Sequence, residues 1–440
     1  MTSNLPPGPS YPRLLATLKW QRSTTALLED GQRYGDPWTL RLMGGATWVF
    51  TTDTELIKGV FAADPAVLHH EVLLTPLVGT QSLLTLEEPE HSALRSVMQP
   101  LFHAEHVQRY RDRMARICEE ELAGWPLHEP VPLLPRLQSI ALNVILGIIF
   151  GVTGGAREES LRARFAELLE WGASPLHVIW HQQKTLRGWK SPRSFMRLLE
   201  PVNVMIFEEI DRARRDPHLE ERDDVLAVLL QAHDEDGRAM TDSELRDHLM
   251  TLTFLGHRST AVALAWALER LTRHPEIVER VRVEAQTASE EYLDAVVKET
   301  LRVGSPFPFV VRAVKQPYLL GEYELPTGTL IALNSYMLHR REDLYPEPDR
   351  FRPERFLEQP PGRYTWLPFG GGGRVCIGAS FALCEMKVVL RSILQQFRIA
   401  PAEQRDEGVR RLGVQFSPSR GARVVLEERL PAASEAVVTA

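Results

Sequence analysis

From about Pro89 to Arg302, apolar residues recur at intervals of three and four, the spacing of helices that bury one face. Gln108 to Leu122 and Leu161 to Trp171 follow this spacing. Ahead of that stretch, Trp38 to Leu42 and Thr47 to Thr51 are rich in β-branched and aromatic residues. Gly44 and Gly45 separate them, so they are predicted as strands. Strand and turn signals return between Tyr318 and Leu333, punctuated by Gly321 and Pro326-Thr327-Gly328. The pattern as a whole predicts a mostly α protein with a minor β-sheet subdomain.

One predicted helix stands apart. Thr241-Asp242-Ser243-Glu244 reads as a capping box. The sequence then runs without proline to Thr272, and Pro275 follows the stop. About 30 residues at the helical rise span roughly 45 Å. Ala261 to Leu268 is apolar on every side, so this half is expected to be buried. No repeat, low-complexity linker or charge shift divides the chain. A single domain over 1–440 is therefore expected, with short flexible tails at about 1–10 and 428–440.

Composition adds exclusions. The 440 residues are 44% hydrophobic and 25% charged with a formal net charge of −7, which argues against nucleic acid or an anionic membrane as main partner. The three cysteines, Cys118, Cys376 and Cys384, have no metal-finger spacing and suit a reducing compartment. The start of the chain holds Leu5-Pro6-Pro7-Gly8-Pro9 and no apolar run, so neither signal peptide nor membrane anchor is expected. A cytoplasmic monomer is the expectation.

The chemistry concentrates in Phe369-Gly370-Gly371-Gly372-Gly373-Arg374-Val375-Cys376-Ile377-Gly378. Consecutive glycines permit positive φ and a close approach of backbone to something flat. A thiolate on such a loop can accept backbone N–H groups that lower its basicity. Arg374 supplies a cation for a nearby anion. Ala379 to Phe397 then reads as a helix, which would bring a positive helix N-terminus close to Cys376. The residues alone also allow a glycine-rich turn around a structural cysteine. A phosphate loop is disfavoured because no Gly-Lys-Ser/Thr follows.

At every fixed position this stretch matches F-x-x-G-x-R-x-C-x-G, and here the chain resembles the cytochrome P450 family. Further stretches occur in the family's order: His91 and Arg95 as H-x-x-x-R, Glu299 and Arg302 in Lys298-Glu299-Thr300-Leu301-Arg302, and Pro353-Glu354-Arg355-Phe356. The resemblance covers essentially the whole chain. It implies a haem b (iron protoporphyrin IX) held between the long central helix and the cysteine-loop helix. Cys376 is then the iron ligand. His91, Arg95, Arg312, Phe369, Arg374 and Gly378 are the other implied haem-binding residues. Glu299, Arg302 and Arg355 are implied to be a structural triad, and Cys118 and Cys384 read as packing residues.

The long helix carries the chief departure from the family. Where the family shows Ala/Gly-Gly-x-Asp/Glu-Thr-Thr/Ser, this chain has Leu255-Gly256-His257-Arg258-Ser259-Thr260. The resemblance assigns catalytic roles to Gly256, Arg258, Ser259 and Thr260. Gly256 would leave room for dioxygen, and Ser259 keeps a hydroxyl where the family has threonine. Arg258 replaces the acid, and a guanidinium does not shuttle protons as a carboxylate does. Either it binds a carboxylate of the substrate or cofactor, as a similarly placed arginine does in peroxide-using fatty-acid members, or it pairs with an acid on a neighbouring helix. The cost of burying an unpaired charge favours the second.

Leu73, Leu77, Trp171, Trp180, Trp189, Phe254 and Phe309 fall in segments expected to line a substrate site. They suit a hydrophobic small molecule such as a terpenoid, steroid, fatty acid or polyketide, as in secondary metabolism. The leading reading is a monooxygenase fed by ferredoxin and ferredoxin reductase or a similar donor. A peroxygenase or isomerase is the alternative, and a non-enzymatic haem sensor the third.

Overall fold

The computed structural model describes residues 4–70, 74–152, 154–173, 193–233 and 237–430. It is 54% helical with small sheets. Two compact units interleave along the chain. One comprises Met1–Glu71, Ala295–Cys376 and Val409–Ser417, and the other Val72–Asp294, Ile377–Gly408 and Pro418–Ala440.

The first unit is built on a five-stranded sheet. Its strands are β1 (Trp38–Arg41), β2 (Thr47–Thr51), β3 (Leu68–His69), β4 (Val310–Val314) and β5 (Thr329–Leu333), in the order β1-β2-β5-β4-β3. β1 and β2 are the predicted strands and pair antiparallel, and β2 runs parallel to β5 with Thr47 opposite Thr329. Helix α1 (Arg13–Arg22) turns Ala16 and Trp20 inward. Trp20 stacks on Phe309 at 5.6 Å, and Trp38 on Phe50 at 4.7 Å, giving one aromatic core. The flexible N-terminal tail is shorter than expected. The Thr39 side chain and amide donate to the Pro6 and Pro7 carbonyls at 2.7 and 2.8 Å, so the chain is pinned before residue 10. At the other end a strand continues to Arg429, past the expected start of the C-terminal tail at 428.

The second unit surrounds one long helix. Its helices include α2 (Glu90–Met98), α3 (Leu133–Phe150), α4 (Arg193–Arg214), α5 (Asp242–Thr272) and α7 (Ala379–Gln396), while α6 (Glu291–Val303) joins the two units in sequence. α5 is the long helix, 31 residues with the predicted capping box at Thr241 and Glu244. Ala261 to Leu268 is buried as its all-round apolar pattern requires. Among the described residues α3 alone is long and apolar enough to cross a membrane, but it is a core helix, buried from Ile140 to Phe150.

α5 is also held by polar contacts that periodicity does not reveal. Arg246 donates to Asn203 of α4 at 2.6 and 2.8 Å, to Asp247 at 2.9 Å and to the Leu77 carbonyl at 3.1 Å. Asp247 accepts from the Gln81 amide at 3.0 Å, and Ser82 and Thr251 share a 2.6 Å hydrogen bond. A buried charge is tolerable only when paired and hydrogen-bonded, and these contacts satisfy that condition.

A Cβ at Gly256 would lie 2.9 Å from Ile145 Cδ1 of α3, so its missing side chain admits the neighbouring helix. Replacing Gly256 by Val should cost about 1–3 kcal/mol through overpacking. Combining it with Ile145→Val should recover part of that loss, as a double-mutant cycle in chemical denaturation would show.

Candidate haem-thiolate site

The expected haem-binding residues divide between the units. In the first unit, the cysteine loop is fixed by its backbone. The Cys376 amide donates to the Phe369 carbonyl at 2.9 Å. Gly372 has φ +69°, and a Cβ there would meet the Phe61 carbonyl at 2.8 Å, so only glycine fits. Cys376 is exposed, unlike Cys118 and Cys384, which are buried. Burial pushes the Cys118 thiol up to about 12 and raises that of Cys384, as suits packing residues.

Arg312 lies on β4 and is 7% exposed. Burial first, and then the neighbouring Arg374 guanidinium, lower its pKa to about 10. Among the described residues it donates to the Val311 carbonyl at 3.0 Å and lies 5.8 Å from the Phe61 ring, and no carboxylate neutralises it. A buried cation beside a second cation calls for an anion. Haem propionates have that chemistry, and an exposed thiol on a glycine loop suits the iron, so these residues fit the group.

The loop is anchored from behind. Glu299 is fully buried and accepts from Arg302 at 2.7 and 2.9 Å and from Arg355 at 3.1 Å. Arg302 also donates to the His339 carbonyl at 2.7 Å. His339 returns a bond from Nδ1 to the Arg302 carbonyl at 3.1 Å, and its Nε2 accepts the Leu367 amide at 3.0 Å. Nε2 accepts only in the neutral ring. Burial, with Arg302 and Arg340 nearby, brings its pKa down to about 3. His339 therefore connects the triad to the segment leading into the cysteine loop. No short-range pattern around His339 signals this role.

In the second unit, His91 and Arg95 share one face of α2, with His91 buried and bonded through Nδ1 to Glu88 at 2.8 Å. Gly378 is the N-cap of α7, so this helix starts at Ala379, three residues past the cysteine. On α5, residues on both sides of the stretch Leu252 to Ser259 are buried, while Leu255 within it is 38% exposed. Ser259, half-buried, donates to the Leu255 carbonyl at 3.0 Å. Thr260 is buried instead, bonded to the Gly256 carbonyl at 3.1 Å and to Glu385 of α7. Burial raises the Glu385 pKa well above that of an ordinary carboxylate. His257 is buried and neutral, its pKa lowered to about 4 chiefly by burial.

Arg258 departs from the favoured expectation. Among the described residues no acid pairs with it, its Nε has no partner, and burial alone lowers its pKa. Among the expected substrate residues, Leu77 is buried and Phe309 belongs to the aromatic core. Leu73, Trp180 and Trp189 lie outside the described residues, as does the Trp171 side chain.

The cytochrome P450 family model matches residues 6–417. The chain is 37% identical over 431 residues to cytochrome P450 135B1 of Mycobacterium tuberculosis, covering 96% of this chain and 91% of that protein. Cytochrome P450 135A1 of the same organism is 36% identical over 91% of this chain and 90% of its own length. A cyanobacterial P450 with retinoic acid bound superposes with a TM-score of 0.81 at 23% identity, over 98% of this chain and 100% of that one. The haem domain of cytochrome P450DA gives 0.82 at 21% identity, over 97% and 98%. This chain belongs to the cytochrome P450 family. It is an oxidoreductase with the P450 fold that binds haem b.

Two outcomes are expected from the buried groups. Glu299→Ala leaves two arginines without their shared carboxylate and should cost about 3–5 kcal/mol, read as a lower thermal midpoint. Glu385→Gln removes an ionisation that burial opposes. A raised carboxyl pKa contributes stability below the ordinary value of 4.5 that is lost as pH rises. The variant should therefore exceed wild type in thermal stability at neutral pH and converge with it below about pH 4.5.

Proposed function

We propose that this P450 is a monooxygenase that hydroxylates or epoxidises a hydrophobic small molecule carrying an anionic group, with electrons from separate proteins of the ferredoxin and ferredoxin reductase type. The observation that carries this reading is Arg258, without an acidic partner among the described residues, in a stretch of α5 where Leu252, Phe254, Leu255 and Ser259 are less buried than the residues on either side. Leu252, Phe254 and Leu255 offer apolar surface, while Arg258 offers a charge that the described residues leave without a counterion.

The haem, when bound through Cys376, supplies dioxygen activation, with the thiolate favouring O–O cleavage. The protein's part is to bind, orient and deliver protons. Ser259 offers a hydroxyl on the uncovered face of α5. Thr260 and Glu385 form a buried bond behind it. Arg258 stays protonated and orients the substrate anion through charge-assisted hydrogen bonds. The reaction is proposed to take place in the cytoplasm as part of secondary metabolism, in a monomer.

The same arginine supports a second reading, a peroxide-using peroxygenase or an isomerase in which the bound carboxylate takes part in proton transfer. Titrating the haem absorption band with fatty acids, terpenoids and steroids decides whether an anion is needed. Carboxylic acids should shift the band of wild type, and Arg258→Ala should weaken their binding by about tenfold or more. If neutral terpenoids shift both proteins equally, Arg258 has no part in substrate binding. Turnover with hydrogen peroxide alone, lost in Arg258→Ala, would favour the second reading.

A further inference from the structure

The charge that α5 presents to a substrate bears on the chemical form in which that substrate arrives. This inference rests on the reading of Arg258 as the anchor of an anionic group. Arg258 is the one formal charge between Asp247 and Glu269 of the helix. His248 and His257 lie in the same stretch, but burial lowers both pKa values to about 4, so neither adds a positive charge near neutral pH. Asp247 and Glu269 lie roughly 16 Å from Arg258 along the axis, one to either side. Both are already engaged, Asp247 by Arg246 and the Gln81 amide at 2.9 and 3.0 Å, and Glu269 by Arg273 at 2.7 Å. Burial alone shifts the Arg258 pKa, and among the described residues no neighbouring charge of either sign contributes. The stretch therefore offers a substrate a single positive charge, with Phe254 and Leu255 one turn earlier as apolar neighbours.

One buried guanidinium is matched by one planar monoanion. A carboxylate accepts two parallel hydrogen bonds from it and cancels its charge. An ester, thioester or amide of the same acid keeps a carbonyl oxygen but carries no charge. Its entry would cover Arg258 further and leave the cation without a counterion, which burial penalises. Hydrogen bonds to a charged partner exceed neutral ones by enough to favour the free acid about tenfold or more.

We propose that the enzyme acts on a free carboxylic acid, after hydrolysis of an acyl ester or thioester, and not on the carrier-bound acyl group. The supplying reaction is then a hydrolase step. Water adds at the acyl carbon, the C–O or C–S bond to the alcohol or thiol breaks, and the acid leaves as its carboxylate and a proton. In the oxidation that follows, one atom of dioxygen enters the substrate and the other leaves as water. The ferredoxin-type donor supplies two electrons, and two protons come from solvent. The carboxylate takes no part in that balance. The product keeps it, so an acyl-activating or acyl-conjugating reaction can consume that product.

The test titrates the absorption band of the haem-loaded protein at neutral pH. The probes are dodecanoic acid, its methyl ester, its N-acetylcysteamine thioester and undecyl sulfate, with a steroid carboxylic acid and its methyl ester as a second skeleton. On at least one skeleton the acid should bind wild type about tenfold or more tightly than its ester or thioester, and Arg258→Ala should remove the difference. The variant loses an uncompensated buried charge, so its thermal midpoint should not fall. The comparison of acid with ester needs wild type alone and stands whether or not the variant folds. Ester or thioester binding within about twofold of the acid overturns the proposal. If Arg258→Ala still weakens both, the anchoring role of Arg258 survives that result. If the variant weakens neither, or no acid shifts the band, the anchoring role falls as well. Tighter binding of undecyl sulfate than of dodecanoic acid would assign the site to a sulfate monoanion and overturn the placement after acyl hydrolysis.

Discussion

The first unit depends on one buried carboxylate. Glu299 holds Arg302 and Arg355 in a space that excludes water. Such a cluster adds little net stability, because desolvation offsets the attraction. Its value lies in geometry. The two guanidiniums can bond Glu299 only in one arrangement, and their remaining donors reach the carbonyls of His339, Pro346, Glu347 and Arg350. The backbone after α6 is thereby fixed. His339, kept neutral by burial, passes that constraint to Leu367, close in sequence to the cysteine loop. Rigidity reaches an exposed thiol through hydrogen bonds made far from it in sequence.

The second unit solves a different problem. A 31-residue helix must keep one short stretch uncovered while the rest stays buried. Polar pins at Arg246, Asp247 and Thr251 hold its N-terminal half. Close helix packing at Gly256 fixes its middle on the side facing α3. The less covered side is left with Leu255, Ser259 and an arginine that finds no counterion among the described residues. Thr260, one residue further, turns to the interior and meets Glu385, whose pKa burial raises. Adjacent hydroxyls on one helix therefore have unlike surroundings, since neighbouring positions lie about 100° apart around the axis.

Much of this was legible in the chain. The β1–β2 pair, the capping box at Thr241 and the buried stretch Ala261 to Leu268 follow from local patterns whose period or capping chemistry has a single reading. The cysteine loop was legible because four glycines, an arginine and a cysteine in fixed spacing serve few purposes. The packing of Phe309 against the aromatic core was not legible, since an aromatic residue next to a strand suits a core and a substrate contact equally well.

What the sequence determined by itself was the fold class, the helix through the core and the chemistry of Cys376, because each is written in neighbouring residues. Only the tertiary structure decided the fate of Gly256, Arg258, Thr260 and His339. A glycine can admit a helix or a ligand, and a buried arginine can meet an acid or none. These alternatives depend on what packs opposite, and the side chains opposite, such as Ile145 and Glu385, lie more than a hundred residues away in the chain.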